Sequence, residues 1–199
     1  MPSLLKYNYT RKCLKRNLAN VDLGRENHRV RYLGLDPGGT TGCAELWLEP
    51  TYGEDRHIRP AEEWIPHWTF CQIGPDEHHG DLWNYLTVLA PRDGIACEHF
   101  EWRPNRHQNA EYGDRYVELI SREYEGIVKL AHDVLGYPLW IQTASQAKSF
   151  VKDDNIKNLG LWQPGQKHAM DALRHLLYRL TLKDDIAGIR LELLRKGWK

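Results

Sequence analysis

The sequence predicts one α/β domain, a five-stranded mixed sheet flanked by helices. Three observations carry that expectation. Short apolar runs recur between clusters of turn residues. Two longer stretches repeat their apolar residues at helical spacing. The segments run in the order three strands, helix, strand, helix, strand, helices, which one layered domain of a 199-residue chain accommodates.

Each element follows from its residues. Arg29–Leu35 begins with strand-like alternation and ends in Asp36. The turn cluster Pro37-Gly38-Gly39-Thr40-Thr41-Gly42 comes next, and Cys43–Leu48 resumes as a strand, so the pair reads as a hairpin. Thr51–Pro66 is polar and contains proline, which predicts a loop. His67–Ile73 reads as a third strand closed by Gly74-Pro75, and Asp81–Leu89 as a helix. Gly94–Phe100 is a fourth, largely buried strand. A polar stretch, Arg103–Asn109, precedes a long helix over Tyr112–Leu135, where Val117, Ile120, Tyr124, Ile127, Val128, Ala131 and Leu135 share a face. Pro138–Gln142 is the fifth strand, Ser145–Val151 a short helix, and Gln166–Leu180, after a loop, the last clear helix. The expected layout is a basic extension over 1–28, the main domain over 29–182 and a helical tail over 183–199.

Composition narrows the class. Hydrophobic residues are 41% and charged residues 27% of the chain, a globular mixture and not a disordered one. No apolar run approaches the ~18 residues that span a bilayer. Met1–Asn20 is basic without an apolar core, unlike a secretory signal. Cys13, Cys43, Cys71 and Cys97 are far apart, with neither C-x-x-C nor zinc-finger spacing. They are expected to be reduced and mostly buried, in a cytoplasmic protein.

The net charge is zero, yet the chain is polarised. Residues 1–31 hold eight basic and two acidic groups, and residues 152–199 ten and six. Residues 32–151 hold nine basic and nineteen acidic groups, a balance of −10. Ordinary solvated surface charge gives such counts. So does a carboxylate-rich site between flanks that touch phosphates.

Three acidic positions carry candidate chemistry. Asp36 closes an apolar strand at a glycine-rich turn, where a turn-starting Asp is also common. Glu98 lies inside a strand expected to be central, where a charge is costly unless paired or metal-bound. Asp171 sits on the last helix, opposite the stripe of Ala169, Met170, Leu173, Leu176, Leu177 and Leu180. His168, Asp171 and His175 share that opposite face, expected to be its wet side. Converging carboxylates repel unless a cation neutralises them, and hard oxygen ligands suit Mg²⁺ or Mn²⁺. Two such ions would activate a water and stabilise the leaving oxygen of a phosphodiester.

Leu33-Gly34-Leu35-Asp36-Pro37-Gly38-Gly39-Thr40-Thr41-Gly42 resembles the first motif of the RuvC-type Holliday-junction resolvases. Ile95-Ala96-Cys97-Glu98 resembles their second motif, and His168-Ala169-Met170-Asp171-Ala172-Leu173 their last. Glu123–Val128 falls where the family has a glycine-containing helix, and Gln142–Lys148 where it has a strand end, a short helix and a DNA-facing lysine. The likeness covers about residues 30–182.

The resemblance implies a ribonuclease-H-like fold and a homodimeric DNA endonuclease acting on four-way junctions or other branched DNA. It implies two Mg²⁺ or Mn²⁺ ions per site. Asp36 would bridge both, Glu98 and Asp171 would each hold one, and His168 would assist where many members have a fourth carboxylate. Lys148, Arg103, Arg106, Phe100, Lys152 and Lys167 are the expected DNA contacts. The sequence departs from the family in its basic extension, in the offset of Phe100 and Trp102 from Glu98, and in a less basic loop before His168. These departures suggest a phage or mobile-element enzyme. Arg11-Lys12 and Lys15-Arg16 fit a DNA arm, a dimer contact or a solvated tail alike. Two further readings compete. One is a non-catalytic DNA-binding protein on the same fold. The other is an actin- or sugar-kinase-like phosphotransferase, which needs two such domains where 199 residues are too few.

Overall fold

The computed structural model describes residues 30–54, 57, 63–74, 79–88, 93–100, 112–182 and 193–198. Val30–Asp36 (β1) and Thr41–Glu49 (β2) form the expected hairpin, with Asp36 opposite Gly42. The Thr41 hydroxyl ties the turn, donating to the Gly38 carbonyl at 3.2 Å and lying 3.4 Å from the Gly38 N–H. Ile65–Ile73 (β3) pairs antiparallel with β2. It starts two residues before the expected strand and includes Pro66. An edge strand tolerates proline because one row of its N–H groups has no ladder partner. Gly94–His99 (β4) and Leu139–Thr143 (β5) run parallel to β1 on its other side. The strand order is β3-β2-β1-β4-β5, the predicted five-stranded mixed sheet.

The helices are His79–Val88 (α1), Tyr112–Leu135 (α2), Ala144–Phe150 (α3), Asp153–Asn158 (α4) and Lys167–Leu182 (α5). Helix α4 corrects the loop expected between Val151 and Gln166. It is too short to show a period, but Asp153 and Asp154 start it, Lys157 ends it, and Ile156 is buried. In the C-terminal segment, residues 193–197 are helical, and the Gly197 carbonyl accepts from the amides of Asn155 and Asn158.

Side-chain alternation divides the core in two. Leu33, Leu35, Cys43, Ile95 and Cys97 face Leu82, Leu86, Tyr124 and Val128 of α1 and α2. Tyr32, Ala44, Leu46 and Phe70 face Ala169, Met170, Leu173 and Leu177 of α5. Cys43, Cys71 and Cys97 are buried thiols, as expected, while Cys13 lies outside the described residues. No helix among the described residues is long and apolar enough to cross a membrane. The 1–28 extension, Trp102, Arg103 and Arg106 also lie outside the described residues.

Two glycines set how closely α5 approaches the sheet. A Cβ on Gly34 would collide with the Ala172 carbonyl, and one on Gly42 with the carbonyl of His168. The helix backbone therefore rests directly on the β1–β2 hairpin. Gly42→Ala is expected to cost about 3 kcal/mol of unfolding free energy, at the upper end of overpacking effects, because backbone cannot swing aside as a side chain can. Gly39 has open space around the position of a Cβ. Gly39→Ala should stay within about 0.5 kcal/mol of the parent. Urea unfolding of both variants checks this, and equal midpoints would contradict the close approach.

Candidate active site

The parallel strands β1, β4 and β5 end at one edge of the sheet. Asp36 is the last residue of β1, and Glu98 and Gln142 are each one residue from the end of theirs. Helix α5 arrives at this edge because Gln72 of β3 holds its first turn. The Gln72 Oε1 accepts from the His168 N–H at 3.1 Å and the Ala169 N–H at 3.4 Å, two donors with no partner inside the helix. Helix α3 starts where β5 stops. Thr143 and Gln146 form a capping box there: the Thr143 hydroxyl accepts from the Gln146 N–H, and the Gln146 side chain from the Thr143 N–H. That start places Lys148 at the cluster.

All four expected core site residues are brought together. His168 Nδ1 lies 3.1 Å from Asp36 Oδ2. Lys148 Nζ lies 3.6 Å from Glu98 Oε2 and 3.2 Å from Asp171 Oδ2, bridging the two carboxylates. Arg174 donates to Asp171 Oδ1 at 2.5 Å and also pairs with Asp153. His175 Nε2 lies 2.9 Å from Glu98 Oε2, and its Nδ1 3.0 Å from Gln142 Oε1. Asp36 and Asp171 are buried and Glu98 half-buried.

This corrects the expected wet face of α5. His175 has 0% exposure, and the face it shares with Asp171 looks onto the strand ends and α3. The sequence reading missed His175, Gln142, Arg174 and Gln72 as parts of the site. His175 carried a signal, four residues from Asp171 on one face. Gln142 and Gln72 carried only the parity of their strands.

The electrostatics follow from crowding. Burial raises the Asp36 carboxyl above its usual range. The His168 hydrogen bond lowers it, but the charges of Glu98 and Asp171 add to the rise, and the net direction is up. Burial also acts to raise Glu98, yet its hydrogen bond to His175, the charges of His175 and Lys148, and a hydrogen bond shared with Asp36 bring it below its ordinary value. Burial acts to lower Lys148, but the charges of Glu98, Asp171 and Asp36 outweigh it and hold the ammonium more firmly protonated. His168 is raised, chiefly by its hydrogen bond to Asp36.

The expected DNA contacts are scattered. Lys148 belongs to the carboxylate cluster. Lys152 is exposed and donates from Nζ to the Lys148 carbonyl at 3.1 Å, and Lys167 is exposed at the start of α5. Phe100, just past β4, is held by its N–H bond to Glu125 Oε2 at 3.1 Å. Glu125 also takes His99 and Lys129 and is buried, a clamp at the exit of β4 that the sequence reading did not mark.

Three carboxylates are hard oxygen donors suited to a divalent cation, and the His168 imidazole adds a softer nitrogen donor. Among the described residues, no three such groups are already gathered as a coordination shell. The oxygens are turned to His168, Lys148, Arg174 and His175, which compete with an ion for them.

No family model and no curated protein matches the chain. Among solved structures it is similar to Thermus thermophilus RuvC in complex with a Holliday junction substrate. The identity is 19%, over 75% of this chain and 91% of that one, with a TM-score of 0.47. It is also similar to a second Thermus thermophilus RuvC structure at 19% identity, over 75% and 92% of the two chains, with a TM-score of 0.45.

The His168–Asp36 contact makes stability depend on pH. His168 holds its proton more tightly folded than unfolded, so its contribution is complete below its ordinary value of 6.5 and is lost as pH rises through the raised folded value. Asp36 is raised on balance by burial, which favours the fold at low pH, but the contact itself lowers it, so the contact's own share is lost as Asp36 takes up its proton. In buffer containing chelator, the unfolding free energy of the parent minus that of His168→Gln is expected to be greatest where Asp36 is ionised and His168 protonated, and to fall as pH rises above the ordinary histidine value of 6.5. Urea unfolding across that range measures it. A difference that does not vary with pH would contradict the contact.

Proposed function

We propose that this chain is a divalent-metal-dependent endonuclease that hydrolyses phosphodiester bonds in branched DNA, four-way junctions first among its substrates. One observation carries the reading. Asp36, Glu98 and Asp171 come from three separate elements and meet at the carboxyl edge of the parallel strands, close enough to act on one another's ionisation. A stable core gains nothing from gathering three like charges, whereas a cation site needs them. The same residues occupy the positions of the resolvase motifs that the sequence resembles.

Asp36, Glu98 and Asp171 would hold Mg²⁺ or Mn²⁺, with His168 as a nitrogen donor. Two ions at such a site supply the positive charge that activates a water and stabilises the leaving oxygen of a phosphodiester. The chain's own groups orient and neutralise. The Lys148 ammonium, held protonated among the carboxylates, would meet a phosphate oxygen once released from Glu98 and Asp171. Lys152, Lys167 and Phe100 would supply backbone contact and stacking, as would Arg103 and Arg106, which lie outside the described residues. A homodimer would present two such sites to the two strands of a symmetric junction.

A non-catalytic DNA-binding domain is the competing reading, favoured by the salt bridges that already occupy the carboxylates. One substitution separates them. Asp36→Asn is expected to retain junction binding and to slow Mg²⁺-dependent cleavage by at least about a hundredfold, the rate equivalent of roughly 3 kcal/mol of lost charge stabilisation. Gel-shift and cleavage assays on a synthetic four-way junction, with linear duplex and flap controls, measure both. Full cleavage by the variant would remove Asp36 from the chemistry. No cleavage by the parent on any branched substrate, with Mg²⁺ or Mn²⁺, would favour the binding domain.

A further inference from the structure

We propose that His175 is a positioning residue for Glu98, and that Gln142 in turn fixes His175. The inference rests on the nuclease reading above and extends it to residues that would not touch metal or DNA.

Glu98 and Gln142 are register partners on the parallel pair β4–β5, so their side chains leave the sheet side by side on the face toward α5. His175 crosses both. Its Nε2–H donates to Glu98 Oε2 at 2.9 Å, and its Nδ1 lies 3.0 Å from the end of the Gln142 side-chain amide. The imidazole is fully buried, so neither contact is exchanged with solvent. Its backbone is equally constrained. The flanking contacts of α5 on Gly34, through the Ala172 carbonyl and the Leu176 Cβ, fix the height of the helix over the sheet. A ring held at both nitrogens and at its backbone has one orientation.

The two partners of Glu98 therefore differ in kind. Lys148 reaches Oε2 at 3.6 Å on a flexible, 41% exposed side chain and is shared with Asp171, so it can withdraw when another cation arrives. His175 cannot withdraw. It keeps one carboxylate oxygen engaged and leaves the remaining lone pairs of Glu98 aimed at the cluster. Gln142 holds the ring from behind in the same way. Partners of this outer kind set the orientation of a ligating side chain, and their loss typically weakens metal binding about 10–100-fold.

Mn²⁺ binding to the full chain, read by the electron paramagnetic resonance of the unbound ion, tests the assignment without reference to cleavage. Circular dichroism and urea unfolding check the fold of each variant. His175→Phe keeps the buried volume and removes both hydrogen bonds. It is expected to fold and to bind Mn²⁺ about 10–100-fold more weakly than the parent. His175→Gln, which retains a donor near the Nε2 position, should recover most of that loss. On a Glu98→Gln background, His175→Phe should cause no further loss, because it acts through Glu98. Unchanged affinity in folded His175→Phe, or an equal loss on both backgrounds, would overturn the proposal and leave the nuclease reading standing. Should His175→Phe fail to fold, Gln142→Leu is expected to weaken Mn²⁺ in the same direction, and parental affinity there would overturn it. A parent chain without Mn²⁺ binding that depends on Asp36 would overturn both the nuclease reading and this extension.

Discussion

Three carboxylates held at one edge of a sheet repel each other, and much of the surrounding structure keeps them there. The Asp36 carboxyl is pushed above its usual range, first by burial and then by the charges of Glu98 and Asp171, which disfavours its ionised form. Around the cluster stand four basic side chains: His168 on Asp36, Lys148 on Glu98 and Asp171, Arg174 on Asp171, and His175 on the same Glu98 oxygen as Lys148. Such an arrangement balances charge without a bound ion, yet leaves hard oxygen ligands within reach of one. The zero net charge of the chain is the same balance at larger scale. An acidic middle supplies Asp36 and Glu98, and basic flanks offset it.

The cluster depends on backbone packing as much as on side chains. Glycine at positions 34 and 42 lets α5 lie on the hairpin with its carbonyls against the strands. Gln72 pins the first turn of that helix, and the capping box at Thr143 launches α3. Each device fixes the start or height of a helix, and each helix then delivers a charged group to the edge: His168 and Asp171 from α5, Lys148 from α3. Glycine in the hairpin is thus tied to function through the helix it admits, more than through the turn it helps make.

The fold and the centre of the site were legible because they left local marks. Alternation marked the strands, and the 3.6-residue period marked α2 and α5. Glu98 stood out as a charge in a strand otherwise fit for burial, and Asp36 as the end of a strand at a glycine-rich turn. Helix α4 was not legible, since six residues are too few to show a period. His175 was misplaced for a physical reason. A helix sequence shows which residues share a face, not whether that face meets water or a second layer, and here α3 and the strand ends cover it. Gln142 and Gln72 are neutral residues whose roles arise only from their neighbours in space.

The central claim is that this cluster is a site for divalent cations. Anomalous diffraction from crystals soaked in Mn²⁺ tests it most directly. Anomalous density is expected among Asp36, Glu98 and Asp171, with the Lys148 ammonium moved off their oxygens. The absence of such density, with Lys148 still bridging Glu98 and Asp171, would contradict it.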